Sequence, residues 1–79
     1  MGNYAAHPKQ TEYLYGLKPR REARGLTQRE LADLIGGDRE SIRAWETGVY
    51  WPSAQYLPKL AAALGCRMED LYRLPGEDG

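Results

Sequence analysis

An all-α fold of five short helices is what this sequence of 79 residues predicts. Three observations predict it. Apolar residues recur at three- and four-residue spacing in short blocks, as on one face of a helix. Glycines punctuate those blocks at Gly25, Gly36 and Gly48. No stretch shows the alternation of a half-buried strand. The length suits one domain with a modest core, one that must be efficient or be helped by a partner subunit.

Residues 1–16, "MGNYAAHPKQTEYLYG", keep no clean period and read as an N-terminal arm with a short helical turn near Thr11–Tyr15. Tyr4, Tyr13 and Tyr15 are amphipathic anchors, available for local packing or for a dimer contact, and His7 is a solvated arm residue. "LKPRREARG" is the first helix: Pro19 suits an N-terminal turn, where its missing N–H would have no partner anyway, and Gly25 suits the position just past the end. "TQRELADLIG" is the second. Thr27 and Glu30, three residues apart, make a capping box; Leu31, Ala32, Leu34 and Ile35 make an apolar stripe; Gly36 ends it. "DRESIRAWETG" is the third, capped by Asp38, with Ile42 and Trp45 inward and Arg39, Glu40, Arg43 and Thr47 pointing elsewhere.

"VYWPS" is a loop fixed by Pro52, in which Trp51 either covers the core or stands exposed. "SAQYLPKLAAALG" is the fourth helix, offering Tyr56, Leu57, Leu60, Ala61 and Leu64 to the core. Pro58 requires either a separate turn over Ser53–Leu57 or a place within the helix's first turns. Cys66 follows at an apolar position as a buried thiol. "RMEDLYRL" is the fifth helix, with Met68, Leu71 and Tyr72 facing in. Residues 17–74 thus form the folded domain, and residues 75–79, "PGEDG", an acidic tail.

Composition narrows the function. With one cysteine, Cys66, and one histidine, His7, the chain offers no disulfide framework, no cysteine or histidine metal site and no evident nucleophile–base pair. Gly36 and Gly37 form a turn between helices, not a phosphate-cradling loop. Neither an enzyme nor a cofactor or metal protein is expected. No apolar run approaches the ~20 residues of a membrane span, and the N-terminus lacks a signal-peptide core, so a cytoplasmic location is expected. The net charge is zero, yet the last eleven residues carry −3 and leave +3 on the rest, a distribution compatible with a phosphate-binding face.

The second and third helices lie either side of a tight break. Ala32 is small where the two must touch, Gly36 makes the turn, and Ile42 fills the core from the third helix. That spacing is what a helix-turn-helix requires, with one helix across the phosphate backbone and the next in the major groove. From Leu17 to Tyr72 the chain resembles the Cro/repressor-type, or XRE-type, helix-turn-helix family. The matching residues are "RREARGLTQRELA", "IG", "SIRAWETG", "PS", "YLPKLAAALG" and "MEDLY", in order and in register.

The resemblance implies a five-helix, lambda-repressor-like domain that binds double-stranded DNA as a sequence-specific transcriptional regulator, a repressor in the leading reading. It implies base contacts from Arg39, Glu40, Ser41, Arg43 and Ala44 on the helix from Asp38 to Thr47. Arg39 or Arg43 would take guanine, and Ala44 a thymine methyl. Glu40 has three open roles: cytosine reader, partner of Arg43, or repeller of phosphate. Gln28, Arg29 and Thr47 would meet phosphates, and Arg21 with Glu46 would form a structural salt bridge. A homodimer on a partly palindromic operator is expected, joined around Arg67–Leu74. The alternative is a protein-interaction module of the same fold, an antitoxin or bridging subunit with a protein partner. The chain departs from the family pattern at Arg20, where an apolar residue is usual, at Val49 and Tyr50, where a basic one is common, and at the cap position Arg67.

Overall fold

The computed structural model describes residues 14–74. Four α-helices run α1 (Leu17–Ala23), α2 (Gln28–Ile35), α3 (Arg39–Thr47) and α4 (Tyr56–Leu64), followed by a 3₁₀ segment over Met68–Tyr72; the described residues contain no strand. The expectations for Tyr4, His7, Thr11–Tyr13 and the acidic tail lie outside the described residues.

Local chemistry sets the helix ends. Pro19 is the third residue of α1, inside the turn whose N–H groups have no intrahelical acceptor. Past the other end of α1, Gly25 N–H donates to Glu22 O at 2.9 Å and Leu26 N–H to Arg21 O at 3.1 Å, which satisfies the last carbonyls. Thr27 caps α2 reciprocally with Glu30: Thr27 Oγ1 accepts from the Glu30 backbone N–H at 3.0 Å, and Glu30 Oε1 accepts from the Thr27 N–H at 2.8 Å. Gly36 leaves α2 at φ 74°, a left-handed conformation that a Cβ would strain, and this turns the chain sharply into α3. Asp38 caps α3 by accepting the Ser41 N–H at 2.8 Å. In α4, Pro58 sits third and is tolerated in the first turn, while Ser53–Gln55 forms a lead-in turn closed by Tyr56 N–H on Ser53 O at 2.9 Å.

The fifth helix is a correction. Over "RMEDLYRL" the chain makes one 3₁₀ segment, not an α-helix. Its bonds run three residues apart, from Asp70 N–H to Arg67 O and from Arg73 N–H to Asp70 O. Arg67 offers no side-chain acceptor, and the turn is closed instead by Asp70, whose carboxylate takes the Arg67 N–H at 3.0 Å. That bond holds the Asp70 carboxyl below its ordinary pKa.

The core gathers Leu14, Leu17, Leu31, Ala32, Ile35, Ile42, Trp45, Leu60, Leu64 and Leu71. α2 packs against α3 with Ala32 buried, and the Trp45 ring lies 5.4 Å from that of Tyr56. Three residues expected to face inward do not: Leu34, Met68 and Tyr72 are exposed. Leu31, Ala32 and Ile35 already span about 100° of α2, and Leu34 falls roughly 110° from the middle of that arc. Trp51 is exposed too, with its ring 5.8 Å from that of Tyr72. Cys66 is half-buried against the core, and burial pushes its thiol pKa up.

A seam joins the start of α1 to the 3₁₀ segment. Gly16 N–H donates to Leu71 O at 2.9 Å, and a Cβ on Gly16 would collide with the carbonyl oxygens of Asp70 and Arg73. Arg20, at the family's apolar position, is half-buried and donates Nε to Asp70 O at 3.2 Å. Its head ties down a backbone carbonyl of the 3₁₀ segment.

Candidate nucleic-acid interface

α3 divides cleanly by side. Ile42, Trp45 and Glu46 are buried, whereas Arg39, Glu40, Arg43 and Thr47 are exposed. The capping bond from Ser41 holds the Asp38 carboxyl below its ordinary pKa, so the first turn of α3 starts on a carboxylate that stays charged at neutral pH. Arg39, Glu40 and Arg43 make no side-chain hydrogen bond or ion pair among the described residues; in particular Glu40 is not paired with Arg43. Their outward side is therefore polar, solvated and unclaimed by the protein's own core.

The remaining expected contact residues fall around that face. Ser41 and Ala44 are half-buried, and Ala44 packs against the core while lining a groove along α3. The groove has a volume of about 480 Å³ and runs from Asp38 and Glu40 past Arg43 and Thr47 to Val49 and Tyr50. A second cleft, between α2 and α3, brings Arg29 beside Arg39 and Glu40. Thr47 is exposed and donates its hydroxyl to Arg43 O at 2.9 Å, a bond it must exchange in order to donate to a phosphate.

Behind the face lies an ion pair. Arg21 from α1 meets Glu46 from α3 in a fork, Nε to Oε2 at 2.6 Å and Nη2 to Oε1 at 3.2 Å, with both side chains buried. Arg21 also donates Nη1 to Leu26 O at 2.7 Å. The hydrogen bond to Glu46 is the main reason the guanidinium pKa is raised, so Arg21 stays charged despite its burial. Gln28, at the first position of α2, is half-buried and donates Nε2 to Glu46 Oε1 at 3.0 Å. Three helices thus converge on one carboxylate.

Sequence reasoning missed two features of this surface, one bond and one groove wall. The Gln28–Glu46 bond spans 18 residues and carries no local signal. Val49 and Tyr50 were noted only for lacking charge, yet they wall the groove beside α3. An apolar pair directly after the closing glycine of an amphipathic helix is the signal that marked them.

The comparisons agree with this architecture. The helix-turn-helix family model matches residues 17–71. An HTH-type transcriptional regulator of Methanothermobacter thermautotrophicus is 42% identical over 64 residues, covering 80% of this chain and 91% of that protein. One from Archaeoglobus fulgidus is 41% identical, covering 68% of this chain and 77% of its own. A hypothetical transcription factor from Neisseria, known as a crystal structure, superposes with a TM-score of 0.69 at 33% identity, covering 77% of this chain and 68% of that one. With the family's two central helices, their glycine turn and its interhelical ion pair all in place, the chain belongs to the XRE-type helix-turn-helix family of transcriptional regulators.

Proposed function

We propose that the protein is a sequence-specific double-stranded DNA-binding regulator, acting as a repressor, that inserts α3 into the major groove. The observation that carries this reading is the outward side of α3, where Arg39, Glu40 and Arg43 stand exposed without partners among the described residues. Arg39 and Arg43 are the guanine readers, and Glu40 accepts from cytosine N4. Ser41 and Ala44 complete the base-facing set. Gln28, Arg29 and Thr47 flank them toward the phosphates, and the buried Arg21–Glu46 pair keeps α3 at its angle. One helix reads only a few base pairs, so the reading includes a homodimer on a partly palindromic operator, with half-sites about 34–36 Å apart. The same reading puts the dimer surface around Arg67–Leu74.

The test is selection of bound sequences from a random duplex pool, followed by binding of Arg39→Ala/Arg43→Ala to the winners. The double variant is expected to lose specific binding while keeping wild-type helicity and melting temperature. Normal binding by that variant overturns the assignment of roles. A second reading, a protein-interaction module, draws support from the exposed Val49, Tyr50, Trp51, Met68 and Leu74. Failure of the wild-type protein to enrich any duplex favours it.

A further inference from the structure

We infer that Glu46 is a positioning residue for DNA binding: it orients the Gln28 amide so that one N–H is held by the protein and the other is presented to a backbone phosphate. This rests on the DNA-binding reading above. The reasoning starts from the chemistry of the pair. An ionised carboxylate only accepts, so the Gln28 group facing Glu46 is the NH₂ and not the carbonyl oxygen. An amide free to rotate must give up that freedom to aim an N–H at a phosphate. The 3.0 Å bond to Oε1 has already fixed it.

The second Gln28 N–H has no partner among the described residues, and the side chain is half-buried at the first position of α2, beside Arg29. Its donor is thus fixed before any ligand arrives, and little rotational freedom is lost on binding. A bare carboxylate so close to a phosphate would repel it. Arg21 prevents this, because its fork onto Oε1 and Oε2 neutralises the Glu46 carboxylate. The ion pair therefore has a role in recognition besides holding α1 to α3: it turns a neutral side chain into a one-sided donor.

The test scans a selected duplex in which single phosphates are replaced one at a time by neutral methylphosphonates. Wild-type protein is expected to lose about tenfold in affinity at one or two positions, in line with a hydrogen bond to a charged group. Gln28→Ala and Glu46→Leu, which leaves no acceptor for the amide, are each assayed below their own melting temperature and are expected to bind the unmodified duplex about tenfold more weakly and to ignore the substitution there. Their combination is expected to be no worse than either alone. Retained sensitivity in Glu46→Leu, or additive losses, overturns the proposal. If Glu46→Leu does not fold, NMR of the wild-type Gln28 side-chain amide decides: on adding duplex, one of its two Nε2 protons is expected to move and the other to stay. Both moving, or neither, overturns the proposal. Wild-type protein that selects no duplex at all fails the DNA reading itself, a distinct outcome.

Discussion

Glu46 is the residue on which most depends, because it is buried and holds a guanidinium and an amide at once. Removing it strands Arg21 as an uncompensated buried charge. Glu46→Ala is expected to destabilise the fold by about 3–5 kcal/mol in urea unfolding, a large share of the ~5–15 kcal/mol typical of a whole domain. Thr27→Ala, which removes an exposed cap, is expected to lose only about 1 kcal/mol in the same measurement. Both residues were legible in the sequence, for different reasons. The Thr27–Glu30 box is local and follows from spacing alone, whereas Arg21 and Glu46 are 25 positions apart and were paired through the family resemblance. Arg20 shows the limit: a charged residue at an apolar position gives no hint that its head reaches a backbone carbonyl 50 residues away.

At the scale of elements, α3 owes its start to a carboxylate. The folded-state pKa of Asp38 lies below its unfolded value, so the stabilisation is complete above the unfolded pKa of about 3.9 and is lost as pH falls through the lower folded value. Asp70 acts with the same sign at the 3₁₀ segment. The melting temperature is expected to stay level between about pH 7 and pH 5 and to drop below about pH 4. In Asp38→Asn, which keeps an acceptor but cannot titrate, that drop should be smaller. Helices α1 to α3 could be read from caps and glycines because their ends are decided within a few residues. The 3₁₀ segment could not, since five residues pinned against Gly16 and Arg20 obey tertiary contacts more than propensity. Gly16→Ala, which forces a Cβ against two carbonyls, is accordingly expected to destabilise by about 1–3 kcal/mol, measured by thermal unfolding.

At the scale of the whole molecule, the formal charge is zero, so the proposed attraction to a duplex would rest on the placement of a few arginines and not on a general positive field. Affinity for a selected duplex is expected to fall as salt rises, with a log–log slope of about −0.9 for each phosphate neutralised. A shallower slope in Arg29→Ala would place that side chain on the backbone, and an unchanged slope would remove it from the contact set. The fold class and the outward side of α3 were legible because periodicity reports which face is wet. The groove wall of Val49 and Tyr50 was marked only by an apolar pair after the closing glycine, because a loop has no period. The bond from Gly16 to Leu71 brings the start of α1 and the end of the 3₁₀ segment side by side. A circularly permuted gene, with a short linker stitched across that junction and new termini opened in the exposed Val49–Trp51 stretch, should therefore still encode a foldable chain.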